Sequence, residues 1–221
     1  MSDKKLRLRF RKTGRAIYIS HLDLMRTMQR AFSRAEYELE YSKGFNPHPQ
    51  ISISLPLSVG VSSLCELMDF KLKEDVDLAQ LPGRLTAQMP EGIEVYDAYE
   101  AERKASQLKW LEIEGVFEYD ERNAAEMAEK LKEFFSAEQI VIAKKTKRGM
   151  GEMDIRPAFK DLSFEAQGGD IKLHVFVSAQ EPTLNPELLA DALRQKKPEL
   201  APDFAKFTRI QGYDAEMNTF K

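Results

Sequence analysis

Residues 6–36 read LRLRFRKTGRAIYISHLDLMRTMQRAFSRAE, and this stretch holds the pattern from which the fold is predicted. Leu6–Phe10 alternates apolar with basic residues, which is the period of a β-strand with one apolar face. Ser20 is a typical helix N-cap, and Asp23 places a favourable negative charge in the first turn. The helix is expected to run to about Glu36, with an apolar stripe at helical spacing. That stripe comprises Leu24, Met25, Met28, Ala31, Phe32 and Ala35.

The same order of elements recurs along the chain. A turn-rich segment, two strand-like runs, a helix and a strand complete the first half, at residues 41–49, 51–55, 64–72, 78–88 and 93–98. In the second half, a strand, an Asn123-capped helix, a basic loop, two strands, a helix from Pro186 and a last strand are expected. The strands and the loop lie at residues 108–117, 144–151, 155–164, 171–177 and 207–213. Leu6 and Leu108 are equivalent in this pattern, which indicates an internal duplication.

Each half reads β-α-β-β-α-β, the order of the ferredoxin-like fold. We therefore predict an α+β protein of two tandem ferredoxin-like domains, residues 1–102 and 103–221, with a charged linker at 100–106. The helices of such a domain cover one sheet face and leave the other face for a partner or for the second domain.

Composition excludes several functional classes. The 221 residues carry 33 basic and 36 acidic side chains, so the chain is not a globally cationic nucleic-acid coat. No apolar run approaches the ~18–20 residues of a membrane span, and we expect a cytoplasmic protein without membrane contact. Cys65 is the only cysteine, which excludes an internal disulfide and a cluster held by three thiolates of this chain. A buried structural thiol is expected.

No cofactor or metal site is expected from the three histidines. His21 and Asp23 lie two positions apart on a helix and do not share a face, and no third ligand is near in sequence. His174 alternates with Leu173 and Val175 and should lie on the opposite face of its strand from them.

Basic charge is concentrated locally. Residues 1–50 hold eleven basic and five acidic side chains, whereas residues 51–102 hold three and ten. Arg26, Arg30 and Arg34 lie four apart and form one stripe on the water-facing side of the first helix. This stripe is either a solvated face, partly paired to Asp23, or a set of phosphate contacts.

The loop at 42–49 contains residue types that bind RNA. Phe45 is suited to stacking on a base, Lys43 and His48 to contacts with phosphate or ribose, and Asn46 to reading a base edge. Gly44 allows a close backbone approach. The alternative is a rigid turn with Phe45 packed on the core.

The second half offers a similar basic segment. Its candidate RNA-binding residues are Lys147, Arg148 and Arg156, and the alternative there is a solvated hairpin tip.

Several of these motifs resemble one family. The segments YISHLDLMR at 18–26, SKGFNPHP at 42–49 and ISISLPL at 51–57, together with Gly60 and Glu66, are similar to the radical-SAM-linked protein family, a bacterial domain of unknown function. The resemblance implies an RNA-related or ribosome-related accessory that works beside a radical-SAM protein. It also implies a shared site. That site would comprise His21, Asp23, Arg26, Gly44, Phe45, Asn46 and His48.

The predicted function is thus a non-catalytic accessory module that binds RNA, a radical-SAM enzyme, or both. A radical-SAM centre needs three cysteines, so this chain would be the partner of that enzyme. One alternative is a metal-independent ribonuclease with His21 or His48 as general base. The other is a protein-docking scaffold that uses the acidic residues 66–102.

Overall fold

A computed structural model describes residues 5–120, 122–146 and 149–221. The protein is a mixed α+β chain with four α-helices in the described ranges. It divides into two compact units, one up to Gln107 and one from Leu108 to Phe220, with Lys221 grouped with the first.

Among its described residues, the first unit contains four strands and two α-helices in the predicted order. These are β1 Leu6–Lys12, α1 His21–Arg34, β2 Ile51–Ser54, β3 Ser62–Phe70, α2 Leu81–Thr86 and β4 Ile93–Glu100. Within this unit the strand order is β4-β1-β3-β2, and each neighbouring pair is antiparallel. The helix α2 is shorter than the predicted 78–88, because residues 87–90 leave the helix at a turn before Gly92.

The helix α1 begins as predicted at its cap. The hydroxyl oxygen of Ser20 accepts a hydrogen bond from the backbone N–H of Asp23 at 3.2 Å. Its apolar stripe is buried against the sheet, where the ring of Phe32 lies 5.1 Å from that of Phe70. Burial of this stripe fixes which face of α1 is left to solvent, and the arginines lie on that face.

The described part of the second unit contains six strands and two α-helices. These are β5 Trp110–Glu118, α3 Ala124–Phe135, β6 Val141–Thr146, β7 Gly149–Asp154, β8 Phe159–Gln167, β9 Asp170–Ser178, α4 Glu187–Lys196 and β10 Phe204–Tyr213. Within this unit four strands pair antiparallel in the order β10-β5-β9-β8, and β6 pairs antiparallel with β7 in a separate two-stranded sheet. Asn123 caps α3 as predicted, accepting hydrogen bonds from two backbone N–H groups.

One prediction for the second half is wrong. Residues 144–151 were expected to form a loop, but residues 144–146 belong to β6 and residues 149–151 to β7. The following strand begins at Phe159 rather than Ile155, because one turn of 3-10 helix occupies Arg156–Ala158. Pro157 in that turn has no N–H to donate to a strand ladder, which explains the late start of β8.

Some basic residues of the first unit are buried rather than exposed. Arg7 is fully buried and donates two hydrogen bonds to the carboxylate of Asp69, at 2.6 and 3.2 Å. Lys12 is also buried. The surface of the first 50 residues is therefore less positive than their composition indicates.

Cys65 is buried, as expected for a structural thiol. No helix in the described ranges is long and apolar enough to cross a membrane.

Candidate functional site

The start of α1 carries a small polar cluster. The Ser20 hydroxyl donates to one carboxylate oxygen of Asp23 at 2.8 Å, and the Arg26 guanidinium donates to the other at 3.1 Å. The hydrogen bonds from Ser20 and Arg26 lower the pKa of the Asp23 carboxyl below its ordinary value. Arg26 is thus partly neutralised, as the solvated-face alternative expects.

A buried lysine holds the segment before α1 in place. The ammonium group of Lys12 donates to the carbonyl oxygens of Ile17 and Ile19, at 3.1 and 2.9 Å. Burial lowers the pKa of Lys12, and the charge of buried Glu66 acts in the opposite direction. Sequence analysis did not identify this role for Lys12, which lies two positions beyond the alternating run Leu6–Phe10.

The other two arginines of the stripe differ in their contacts. Arg34 is exposed and donates to the carbonyl oxygen of Gln88, just after α2, at 2.6 Å. Arg30 is exposed and has no hydrogen bond or ion pair in the part of the chain that is described. Of the three, Arg30 is the one whose guanidinium remains available to a partner.

The loop at 42–49 is closed at its root by a compact set of hydrogen bonds. Tyr41 and Pro49 form a β-bridge, and the Ser42 N–H donates to the His48 carbonyl oxygen at 2.9 Å. The Ser42 hydroxyl oxygen accepts the His48 N–H at 3.1 Å and lies 2.9 Å from its ring nitrogen Nδ1. These bonds fix where the loop leaves the unit and how the imidazole is oriented.

The tip of the loop faces solvent. The exposure of Phe45 is 106% of the reference value, so the alternative in which its ring packs on the core is wrong. Lys43 is exposed and has no ion pair among the described residues, and Asn46 is also exposed. Gly44 has a φ of 135°, a conformation that favours glycine. A ring, an ammonium and an amide are therefore presented together.

The loop lies beside α1. A cavity of about 450 Å³ is lined by Gln29 and Ser33 of α1 and by Tyr41 and Pro49 at the loop root. At 100° per residue, Gln29 and Ser33 lie on a different flank of α1 from Arg34, which faces α2. The loop and the arginine stripe thus occupy neighbouring parts of one exposed face.

The residues of the predicted shared site fall into two groups. Asp23 and Arg26 are joined at the start of α1, and His48 and Asn46 are joined within the loop, where Nδ1 lies 3.4 Å from the Asn46 carbonyl oxygen. His21 is half-buried at the first position of α1. Within the described ranges, neither a hydrogen bond nor an ion pair connects it to His48.

The candidates of the second half are placed differently. Lys147 and Arg148 lie outside the described residues. The Arg156 guanidinium lies over the Phe159 ring, 5.0 Å from its centre, and is 3.4 Å from the Phe159 carbonyl oxygen. Arg156 is half-buried and its planar group contacts its own unit. Across the described residues, no three His, Cys, Asp or Glu side chains are grouped to hold a metal ion.

Comparison with known proteins gives a family but no activity. Residues 5–186 match the family described as "Uncharacterized protein conserved in bacteria (DUF2344)". No curated protein matches the chain. Among solved structures, an unknown protein from Galdieria sulphuraria is similar at 8% identity and a TM-score of 0.27, over 92% of this chain and 95% of that one.

Proposed function

Since the chain belongs to the DUF2344 family of uncharacterized bacterial proteins, whose description names no activity, we propose a function from the first unit's surface. The protein is a non-catalytic accessory module that binds single-stranded RNA. The loop at 42–49 and the neighbouring exposed face of α1 form the contact surface.

The proposal includes the architecture of each unit. Both units carry a four-stranded antiparallel sheet in which the last strand neighbours the first, and the third lies between the first and the second. This order, with helices after the first and third of these strands, supports a tandem pair of ferredoxin-like domains, the second with an inserted two-stranded sheet of β6 and β7.

The observation that carries the proposal is the exposure of Phe45. A fully exposed aromatic ring loses the free energy of burial that a core position would give it, about 1.5–3 kcal/mol. Its loop is nonetheless closed at the root by the Ser42–His48 hydrogen bonds. An ordered loop that presents an aromatic ring to solvent supports stacking on an unpaired base, which is worth about 1–3 kcal/mol per base.

Positive charge near the Phe45 ring favours RNA over an uncharged partner. Lys43 is two positions from Phe45, and Arg30 lies on the exposed face of the helix beside the loop. Neither is paired to a carboxylate in the described part of the chain. Each is therefore available to a phosphate without first breaking an ion pair, and would add to the salt dependence of binding.

The partner enzyme is part of the same proposal. The resemblance to the radical-SAM-linked family suggests a radical-SAM protein as the consumer of the bound RNA, in the cytoplasm. Exposed Tyr18, Leu22 and Val59 support a protein contact at the start of α1, since the Gly60 N–H donates to the Ile17 carbonyl oxygen and holds the two segments together. The acidic segment 66–102 is a weaker docking surface than its sequence indicates. Two of its carboxylates, Glu66 and Asp69, are buried.

A ribonuclease is the second candidate, and the Ser42–His48 contact is the observation that favours it. In the tautomer whose Nδ1–H donates to the Ser42 hydroxyl oxygen, Nε2 of the exposed imidazole carries no proton and can act as a base. A general base in this position would need a second group to protonate the leaving oxygen. In the described ranges no contact brings His21 to that role.

The binding proposal is tested with fluorescent single-stranded RNA and the full chain, by anisotropy titration of the wild type and Phe45→Ala. Phe45 is fully exposed, so the substitution leaves the core unchanged. We expect a 5- to 150-fold rise in Kd, which is the loss of one stacked base at about 1–3 kcal/mol. The matched control is Phe204→Ala, which removes another exposed phenylalanine, 64% exposed, from the second unit.

The two substitutions separate the outcomes. An increase in Kd for Phe45→Ala, with Phe204→Ala at the wild-type value, supports the loop as the RNA contact. Equal Kd values for all three proteins, or no saturable binding by the wild type, would overturn the proposal.

A further inference from the structure

The sheet of the second unit places two rows of polar side chains on one face. Strand pairing aligns Ser163 of β8, His174 of β9, Glu114 of β5 and Thr208 of β10 across the sheet. The next row, two residues along each strand, holds Glu165, Lys172, Val116 and Lys206. Together the two rows line a cavity of about 310 Å³.

This face is the one turned away from the unit's core. Leu173 and Val175 alternate with His174 along β9 and are buried, whereas the His174 side chain is 36% exposed. The prediction that His174 lies opposite its two neighbours is thus confirmed. The cavity lies on the surface of the unit and is open to a small molecule.

Three charged groups in the cavity have no partner in the described ranges. Glu165 and Lys172 are directly opposite each other across β8 and β9, yet no ion pair joins them. Glu114 is also unpaired there. Lys206, in contrast, forms an ion pair with Glu118. The lining therefore offers two free carboxylates and one free ammonium.

A hydrogen-bonded support fixes the wall beside these groups. The His174 ring nitrogen Nε2 lies 2.9 Å from one Glu112 oxygen, and the Tyr213 hydroxyl donates to the other at 2.6 Å. The ring of Phe176 packs edge-on against the imidazole at 5.2 Å. A side chain held by a carboxylate and a ring keeps its orientation when a ligand enters.

From this lining we infer that the cavity binds a small zwitterion of the amino-acid type, its amine on Glu114 and its acid group on Lys172. A phosphate or other pure anion would meet two carboxylates, and a bare amine would meet the ammonium of Lys172. Glu114 and Lys172 are diagonal neighbours on β5 and β9, about 7–8 Å apart at their Cα atoms. That separation allows one small molecule to contact both, while half-buried Val116 adds an apolar wall.

The site lies in the second unit and does not depend on the RNA proposal. Its test is calorimetric titration of the full chain with free leucine, glutamate and lysine. Butylamine and butyrate serve as single-charge analogues, and uridine monophosphate as a phosphate ligand. We expect saturable binding of at least one amino acid, and binding of each single-charge analogue weaker by about tenfold or more, because each lacks one charge-assisted hydrogen bond.

Two variants locate the site. Glu114→Gln and Lys172→Met each remove one charge from an exposed side chain, and each should raise the Kd about tenfold or more. Glu133→Gln, an exposed substitution on α3, is the control and should leave the Kd unchanged. Thermal melting of all three variants is measured to check that they are folded.

Three results would overturn the inference. They are no saturable binding of any amino acid, a Kd unaffected by both cavity variants, and uridine monophosphate binding as tightly as the best amino acid.

Discussion

Replacement of Lys12 by methionine tests whether the buried ammonium organises the start of α1. Methionine has a similar length and no donor, so the substitution removes the hydrogen bonds to the Ile17 and Ile19 carbonyl oxygens without a large cavity. It also removes a positive charge that acts on the carboxyl group of Glu66, which is 1% exposed.

The expected loss of stability follows from these contacts. A carbonyl oxygen inside the protein that loses its donor costs about 1–3 kcal/mol, and Lys12→Met affects two such oxygens. These effects share one side chain and do not add. Burial lowers the pKa of Lys12, which shows that its charge is itself held at some cost. We therefore expect the free energy of unfolding of the first unit to fall by about 1–3 kcal/mol.

The assay must report on the first unit. Trp110 is the only tryptophan and lies in the second unit, so its fluorescence does not serve. Urea denaturation followed by far-UV circular dichroism, with hydrogen exchange measured by mass spectrometry on peptides from the first 107 residues, gives the required free energy. Lys43→Met makes the same chemical change at an exposed lysine and is the control.

If Lys12→Met lost less than about 1 kcal/mol, no more than a typical surface substitution, the account of the α1 start would be refuted.

Three further predictions concern the first unit. Arg30→Glu and Lys43→Glu should each weaken RNA binding and reduce the slope of log Kd against log salt concentration by about 0.7, the value for one phosphate on a single strand. Titrations at several salt concentrations measure this slope. An unchanged slope in both variants would exclude these phosphate contacts. The pKa of the Asp23 carboxyl, measured by NMR, should lie below 3.8 and should rise in Ser20→Ala. Since its folded pKa is lowered, its contribution to stability is present above pH 3.8 and is lost as the pH falls through the folded pKa. A pKa at or above 3.8 in the wild type would contradict the hydrogen-bond geometry. RNA incubated with the protein in chelator should stay intact on a denaturing gel, whereas cleavage that disappears in His48→Ala would establish the ribonuclease alternative.

The sequence predicted helix starts and helix faces correctly where a single local interaction determines them. The Ser20 and Asn123 caps and the apolar stripe of α1 follow from hydrogen bonding and periodicity, and the structure confirms them. The 144–151 segment was misassigned because glycines and lysines favour a loop locally, whereas pairing of β6 with β7 determines the outcome. Pairing depends on a partner strand, which no local pattern in that segment identifies.

The burial of charged side chains was the other feature that the sequence did not predict. From the sequence, Arg7 is expected on the solvent face of an amphipathic strand and Lys12 at its end. Both side chains are buried, and both have polar partners. Periodicity tells which residues share a face but not whether that face is covered. For the candidate site, the sequence identified the residue types of the 42–49 loop as suited to RNA binding. Only the structure shows that the Phe45 ring faces solvent and does not pack on the core.

The most direct test of the RNA-binding loop is ultraviolet crosslinking of single-stranded RNA to the full chain, followed by mass spectrometry of the crosslinked peptides. The account predicts crosslinks within residues 41–49, centred on Phe45, which diminish in Phe45→Ala. Crosslinks confined to other segments, with the 41–49 peptide unmodified, would contradict it.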